Sequence, residues 1–245
     1  MRVPRIFHPT SLAAETTVAL TDEAAQHVGK VLRMQVGQAV VLFNGDGYDY
    51  AADIVDVAKR EVQVQINAKL PNQTESRLRI HLGQGISRGD RMDFVLQKSV
   101  ELGVASITPL FTERCGVKLT GERLEKKRQQ WQKIVNSACE QSGRAVVPEV
   151  CAPQALTDWL AQQPTASVCV TLDPRAPRAL RELPLSSQQA VTLLIGPEGG
   201  LSEQEIQQAG VAEFTPVRLG PRVLRTETAA LTALAVLQYE FGDLS

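Results

Sequence analysis

Between Gln38 and Asn67 apolar and polar residues alternate in short runs: "AVVLFN" (39–44), "YDYAADIVDV" (48–57) and "EVQVQIN" (61–67). "NGDG" (44–47) and "AKR" (58–60) separate them with turn-forming residues. A period of two broken by such turns predicts β-strands. Ahead of them "TDEAAQHVGKVLRM" (21–34) predicts a helix that starts at Thr21–Asp22 and buries a stripe at Ala25, Val28 and Leu32. So many short strands within about 70 residues close most simply as a small β-barrel with one helix. "LPNQTESR" (70–77) is polar, contains a proline, and reads as a linker.

Beyond it the pattern becomes an alternation of strands and helices. Strands are predicted at "LRIHLGQGI" (78–86), "SITPLF" (106–111), "SVCVTLD" (167–173), "AVTLLIG" (190–196) and "FTPVRLG" (214–220). Helices are predicted over 89–103, 121–143, near 154–162, over 202–209 and over 226–241. Strands this apolar suit a parallel sheet covered on both faces. The chain therefore divides into residues 1–72 and an α/β domain at 73–245.

Composition changes little of this. The chain has 245 residues, 43% hydrophobic and 22% charged, which is ordinary for a globular protein. "MRVPRIFHPT" lacks the apolar core of a secretory signal. No apolar run approaches the roughly 18 residues of a membrane span. The four cysteines share no C-x-x-C spacing and read as reduced thiols of a cytoplasmic protein, with no metal expected. Charge is uneven, however. Residues 77–133 carry twelve Lys/Arg against six Asp/Glu, whereas residues 134–245 carry seven against twelve. The basic excess is either the solvated face of the helix around "ERLEKKRQQWQK" (122–133) or a footprint for phosphates.

Two stretches ask for more than turn chemistry. "LLIGPEGGLSEQE" (193–205) and "RLGPRVLRTETAALTAL" (218–234) each run from a strand through a glycine-proline corner into a helix. Such corners lie at the C-terminal ends of strands, where open α/β sheets bind ligands. Neither is a phosphate loop, since the glycine spacing is wrong and no lysine is nearby. Glycine, proline and aliphatic neighbours suit a flat, largely uncharged heterocycle packed against Leu172, Ile195, Leu219 and Leu224.

Together these residues resemble the bacterial small-subunit ribosomal RNA uridine-N3 methyltransferases of the SPOUT class, the RsmE family. "PRIFHP" (4–9), "HVGKVLRM" (27–34), "QKSVELGVASITPLFTERC" (97–115) and "WQKIVNSACEQSGR" (131–144) extend the likeness over nearly the whole chain. The resemblance implies a PUA-like β-barrel for RNA at 1–72. It also implies a SPOUT domain at 73–245, a parallel sheet with a C-terminal trefoil knot. It further implies a homodimer, S-adenosyl-L-methionine as cofactor, and small-subunit ribosomal RNA or the assembled subunit as substrate, with no membrane partner. The cofactor would be held by Leu172, Gly196, Pro197, Glu198, Gly199, Gly200, Leu219, Gly220, Arg222, Val223 and Leu224.

Methylating uridine N3 requires an exposed base and removal of an imide proton. Arg225 is the first candidate to stabilise the developing negative charge. Either Glu198 or Glu227 could take the proton, or water could. Arg5, Phe7, Lys30, Arg33, Arg88 and Arg222 are the candidates for substrate contact. Two alternatives stand beside this reading: ribose 2′-O methylation by the same class of enzyme, and a non-catalytic RNA-binding assembly factor.

Overall fold

A computed structural model describes residues 3–59, 61–163, 166–185 and 189–244; Arg60 of the "AKR" turn lies outside them. The chain forms two compact units, Met1–Glu75 with Asn136–Val147, and Ser76–Val135 with Pro148–Ser245.

The first unit is built on β1 (Arg5–Phe7), β2 (Thr17–Ala19), α1 (Asp22–Gln26), β3 (Ala39–Phe43), β4 (Tyr48–Val57) and β5 (Val62–Pro71). Its sheet runs β1-β3-β4-β5-β2, antiparallel except for the β1–β3 pair. The period of two does its work here. Tyr50, Ala52 and Ile54 of β4 and Val62, Val64 and Ile66 of β5 face one core with Val28 and Ala25. Irregular pairing at Ala51/Ala52 and Ile54/Asp56 adds the local twist that lets a sheet wrap such a core.

The predicted helix is shorter than its pattern. Thr21 caps α1 by accepting a hydrogen bond from the Ala24 N–H, and α1 then passes into a π-type turn at His27–Val31. The wider turn keeps Val28 fully buried while Val31 and Leu32 stay exposed, and Arg33 reverses the chain at φ 53°. The expected linker is also partly structural. β5 continues to Pro71, Asn72 donates to the Gly143 carbonyl at 3.0 Å, and the Glu75 carboxylate receives both Nε and Nη2 of Arg144 at 3.0 and 2.6 Å. Residues 136–147, which the pattern alone assigns to the second domain, thus pack with the first unit.

The second unit contains β6 (Arg79–Gly85), α2 (Asp90–Glu101), β7 (Ser106–Phe111), α3 (Gly121–Ser142, up to Val135), β8 (Glu149–Val150), β9 (Gln154–Ala155) and α4 (Leu156–Leu160). It continues with β10 (Val168–Leu172), β11 (Ala190–Ile195), α5 (Glu203–Val211), β12 (Thr215–Val217) and α6 (Thr226–Phe241). The sheet is parallel throughout, in the order β12-β10-β11-β6-β7-β8, with β9 beside β7. Leu82, Val170, Leu193 and Leu194 in its central strands are fully buried, each worth about 1.5–3 kcal/mol over exposure. Because β6 pairs with β11 and β10 lies between β11 and β12, the two glycine-proline corners follow strands on the same side of the sheet. Both begin at carboxyl ends, where ligands bind.

Candidate cofactor pocket and active site

A cavity of about 600 Å³ opens at these strand ends, a size suited to a cofactor-sized ligand. Leu172 at the end of β10 lines it, as do Gly196, Pro197, Glu198, Gly199 and Gly200 of the first corner. Leu219, Gly220, Arg222, Val223 and Leu224 of the second corner complete its wall, and Arg225 and Glu227 also face it. Every residue named from sequence for the cofactor or for catalysis is therefore brought to one cavity.

The first corner is braced on all sides. Pro197 O accepts from Gly200 N at 2.9 Å, and Gly200 sits at φ +67°, a conformation that costs a glycine nothing. Beneath it the chain rests directly on β6: a Cβ on Gly85 would lie 2.5 Å from the Pro197 nitrogen. Glu205 holds the following helix by a capping box with Ser202, and its other oxygen accepts from Glu113 N at 2.7 Å. Arg114 donates to the Gly199 carbonyl at 3.0 Å.

Glu198 belongs to this bracing. One carboxylate oxygen accepts from Arg88 N–H at 2.9 Å and from Arg91 at 3.1 Å. Burial by itself would raise its carboxyl. The hydrogen bonds from backbone N–H groups and from Arg91, with the Arg91 charge, outweigh burial and hold it below the ordinary carboxylate range. A proton acceptor needs the opposite shift, so the reading of Glu198 as a base conflicts with its surroundings.

The second corner is built differently. Arg222 and Arg225 are exposed, and among the described residues their side chains have no partner. Arg225 occupies the N-cap position of α6 without a capping side chain. Glu227, in the first turn, has a buried Oε2 with no hydrogen-bond partner. A buried carboxylate oxygen left unpaired in the wall of a cavity is an acceptor waiting for a donor.

One polar chain joins the two corners, and sequence reading missed it. Thr226 Oγ1 donates to the Gly196 carbonyl at 2.6 Å and accepts from Gln84 Nε2 at 3.0 Å. Both side chains are buried. Thr226 looks like a helix-start threonine in sequence, yet its hydroxyl serves a partner thirty residues upstream rather than its own helix.

The substrate candidates fare unevenly. Arg222 is at the cavity. Arg88 reaches the first corner through its backbone, while its guanidinium lies against Gly116. Lys30 and Arg33 are exposed in the first unit, without side-chain partners among the described residues. Arg5 is different: its side chain is 9% exposed, paired with Asp49 at 2.9 Å and bonded to the Arg144 carbonyl at 3.1 Å. Both terminal nitrogens of its guanidinium are engaged within the first unit and its Nε is buried, so little of it faces an incoming phosphate. Phe7 is half-buried and makes a tilted contact with the Phe43 ring at 5.7 Å.

Comparison with known proteins now bears on the whole chain. An RNA methyltransferase domain family matches residues 74–238 and an RNA methyltransferase PUA domain family matches residues 20–67. The ribosomal RNA small subunit methyltransferase E of Buchnera aphidicola (strain Sg) is 38% identical over 244 residues, covering 100% of this chain and 99% of that protein. The chain belongs to the ribosomal RNA small subunit methyltransferase E family. The Bacillus subtilis member is 31% identical, covering 91% of this chain and 90% of its own. Among solved structures, a methyltransferase of Legionella pneumophila in complex with bound S-adenosylmethionine aligns with a TM-score of 0.96 at 47% identity, covering 100% of both chains. The family member from Neisseria gonorrhoeae, bound to S-adenosyl methionine, aligns at 0.93 with 40% identity, again covering 100% of both. The parallel α/β fold and the PUA-like first unit are thus those of the family.

Proposed function

We propose that this protein uses S-adenosyl-L-methionine to methylate N3 of a uridine in small-subunit ribosomal RNA, acting as a cytoplasmic homodimer whose C-terminal segment is knotted. The observation that carries the reading is the pairing of a rigid, glycine-floored cavity with an unpartnered arginine and an unpartnered buried carboxylate in its wall. The cavity fits the cofactor. Leu172, Ile195, Leu219 and Leu224 offer apolar walls for an adenosine, and the corners offer backbone donors and acceptors close to the ligand. When bound, the cofactor supplies an electrophilic methyl group on a sulfonium.

This chain's residues supply the rest. N3 gains a methyl and must lose its proton, and as the proton leaves, negative charge spreads over N3 and both carbonyl oxygens. Arg225 is placed to meet that charge with a planar fork of donors. Glu227 is the better proton acceptor of the two carboxylates, because Glu198 is held ionised by its donors while Glu227 Oε2 has none. Lys30 and Arg33 give the first unit a basic contact for RNA phosphates. Half-buried Leu231 and Val236 with exposed Tyr239 on α6 leave apolar surface for a second subunit.

Mass spectrometry of ribosomal RNA nucleosides tests the reaction. Cells lacking the protein are expected to lose one 3-methyluridine from small-subunit RNA and to regain it on complementation. Loss of a 2′-O-methylated nucleotide instead would transfer the reading to ribose chemistry. An unchanged nucleoside profile would leave only the non-catalytic assembly factor.

A further inference from the structure

Charge counting places the basic excess at 77–133, yet six of the seven basic residues after 133 fall between Arg175 and Arg225. Three of them recur at every third position in "PRAPRALRE" (174–182). This segment leaves β10 at the cavity and runs as a turn, an extended stretch and a 3₁₀ turn at Leu180–Glu182. A backbone with about three residues per turn keeps positions i and i+3 on one side. Leu180 and Leu183 accordingly both point into the fold, Ala176 is buried one position off that spacing, and Arg175, Arg178 and Arg181 are exposed.

The backbone of this ledge is fixed from below. Arg218 donates its guanidinium to the Ala176 carbonyl at 2.9 Å and to Pro177. The Arg218 backbone bonds to Arg178 and Leu180 at 3.0 and 3.2 Å. One half-buried arginine is thus engaged in carbonyl contacts while Arg175, Arg178 and Arg181 are held outward. Among the described residues no side chain pairs with Arg178 or Arg181, and Arg175 has only an exposed contact with Asp173 at 3.3 Å. The ledge is continuous with the active site, since Asp173, Pro174 and Arg175 line the same cavity as Arg222 and Arg225. A chain with net charge −1 that leaves Arg178 and Arg181 without an acidic partner among the described residues, beside an Arg175 held only by an exposed contact, presents an anion track.

We infer that Arg175, Arg178 and Arg181 form a ledge that binds the phosphates of single-stranded RNA flanking the target nucleotide. The inference rests on the RNA reading above but not on which atom is methylated. Repeating phosphates match repeating guanidinium groups, and each contact releases counterions, with a slope of about 0.7 per phosphate on single strands.

The test uses the full-length Arg178→Ala/Arg181→Ala variant and its Arg→Lys counterpart, neither of which alters a cavity-lining residue. Binding is measured across a salt series on small-subunit ribosomal RNA and on small subunits purified from cells lacking the protein. Two lost contacts are expected to weaken RNA binding about tenfold near 0.15 M salt and to flatten the salt slope by about 1.4. The loss should appear in KM far more than in kcat, with cofactor affinity by calorimetry retained. The lysine pair should recover most of the slope. An alanine pair that folds and keeps both affinity and slope overturns the ledge, and so does a lysine pair as weak as alanine. Failure of the parent reading looks different: wild-type protein itself would then show no salt-dependent binding to either probe.

Discussion

The two corners share a sequence logic and differ in what their side chains are free to do. At 196–200 the one polar side chain is engaged and the backbone is held from outside: Glu198 takes Arg88 and Arg91, Arg114 takes the Gly199 carbonyl, and Pro197 fills the space that a Cβ on Gly85 would need. At 222–227 Arg222 and Arg225 stand exposed and Glu227 keeps an unsatisfied oxygen. A corner that must hold a constant ligand benefits from having one conformation. A corner that handles developing charge needs groups whose bonding capacity is still open when substrate arrives. We therefore propose that the first corner chiefly holds the cofactor, while the second adds to the cofactor's walls and carries the chemistry.

The strongest way to break this assignment is at Glu227. If it accepts the imide proton, Glu227→Gln should lower the single-turnover rate at saturating RNA by about 10²–10⁴, with RNA affinity nearly unchanged. A rate within a few-fold of wild type returns the proton to water. Arg225→Ala should cost about 10²–10³ in the same assay, the range for one lost donor to a developing oxyanion. Raising pH should partly rescue it by pre-ionising uridine, whereas Arg225→Lys should recover little. A raised RNA dissociation constant with a normal saturated rate would make Arg225 a phosphate anchor.

Smaller effects sharpen the boundary between the corners. Gly85→Ala pushes a methyl against the Pro197 backbone, and a displaced first corner should weaken cofactor binding by roughly 10–100-fold in calorimetry. An unaltered affinity would mean that the corner does not shape the pocket. Thr226→Val removes the tie between the corners while keeping the side chain's shape. It should lower the saturated rate about tenfold, and Thr226→Ser should restore it. Equal loss in both variants would point to packing alone. Glu198→Gln should have the least effect, a few-fold loss of cofactor affinity.

Glu198 also sets a pH expectation. Its carboxyl is lower in the folded protein than its ordinary value of 4.5. The bracing it gives is therefore complete above that value and is lost only as pH falls through the depressed one. Cofactor affinity of the wild type should be insensitive to this group near neutrality and should decline in acid, a decline Glu198→Gln should lack.

Much of this was legible in the sequence because it is local. Period-two runs placed β3, β4 and β5, and strand–helix alternation placed the second unit. The glycine-proline corners announced the cavity and about two thirds of its lining, while Arg91 and the stretch from Asp173 to Arg175 were not foreseen there. What escaped depends on partners far along the chain. β1 and β2 have three residues each, too few for a period to register. Arg5 reads as an exposed basic residue until Asp49 and Arg144 are beside it. Glu198 reads equally as a base or as a brace for its turn until Arg88 and Arg91 arrive from 110 and 107 residues away. The spacing of Arg175, Arg178 and Arg181 was visible, but a period of three signals neither helix nor strand, and net charge over a long window concealed it.

The Gln84–Thr226 hydrogen bond spans 142 residues, and this separation has a consequence for synthesis. At about 5–20 residues per second, Gln84 leaves the ribosome on the order of ten seconds before Thr226 exists. During that interval β6 can pair and its neighbours can collapse, but no pocket can close. The order should persist in refolding, where non-local closure is slow: recovery of ligand-binding competence is expected to trail the far-UV circular dichroism signal. Secondary structure is thus expected to come early and the capacity to act last.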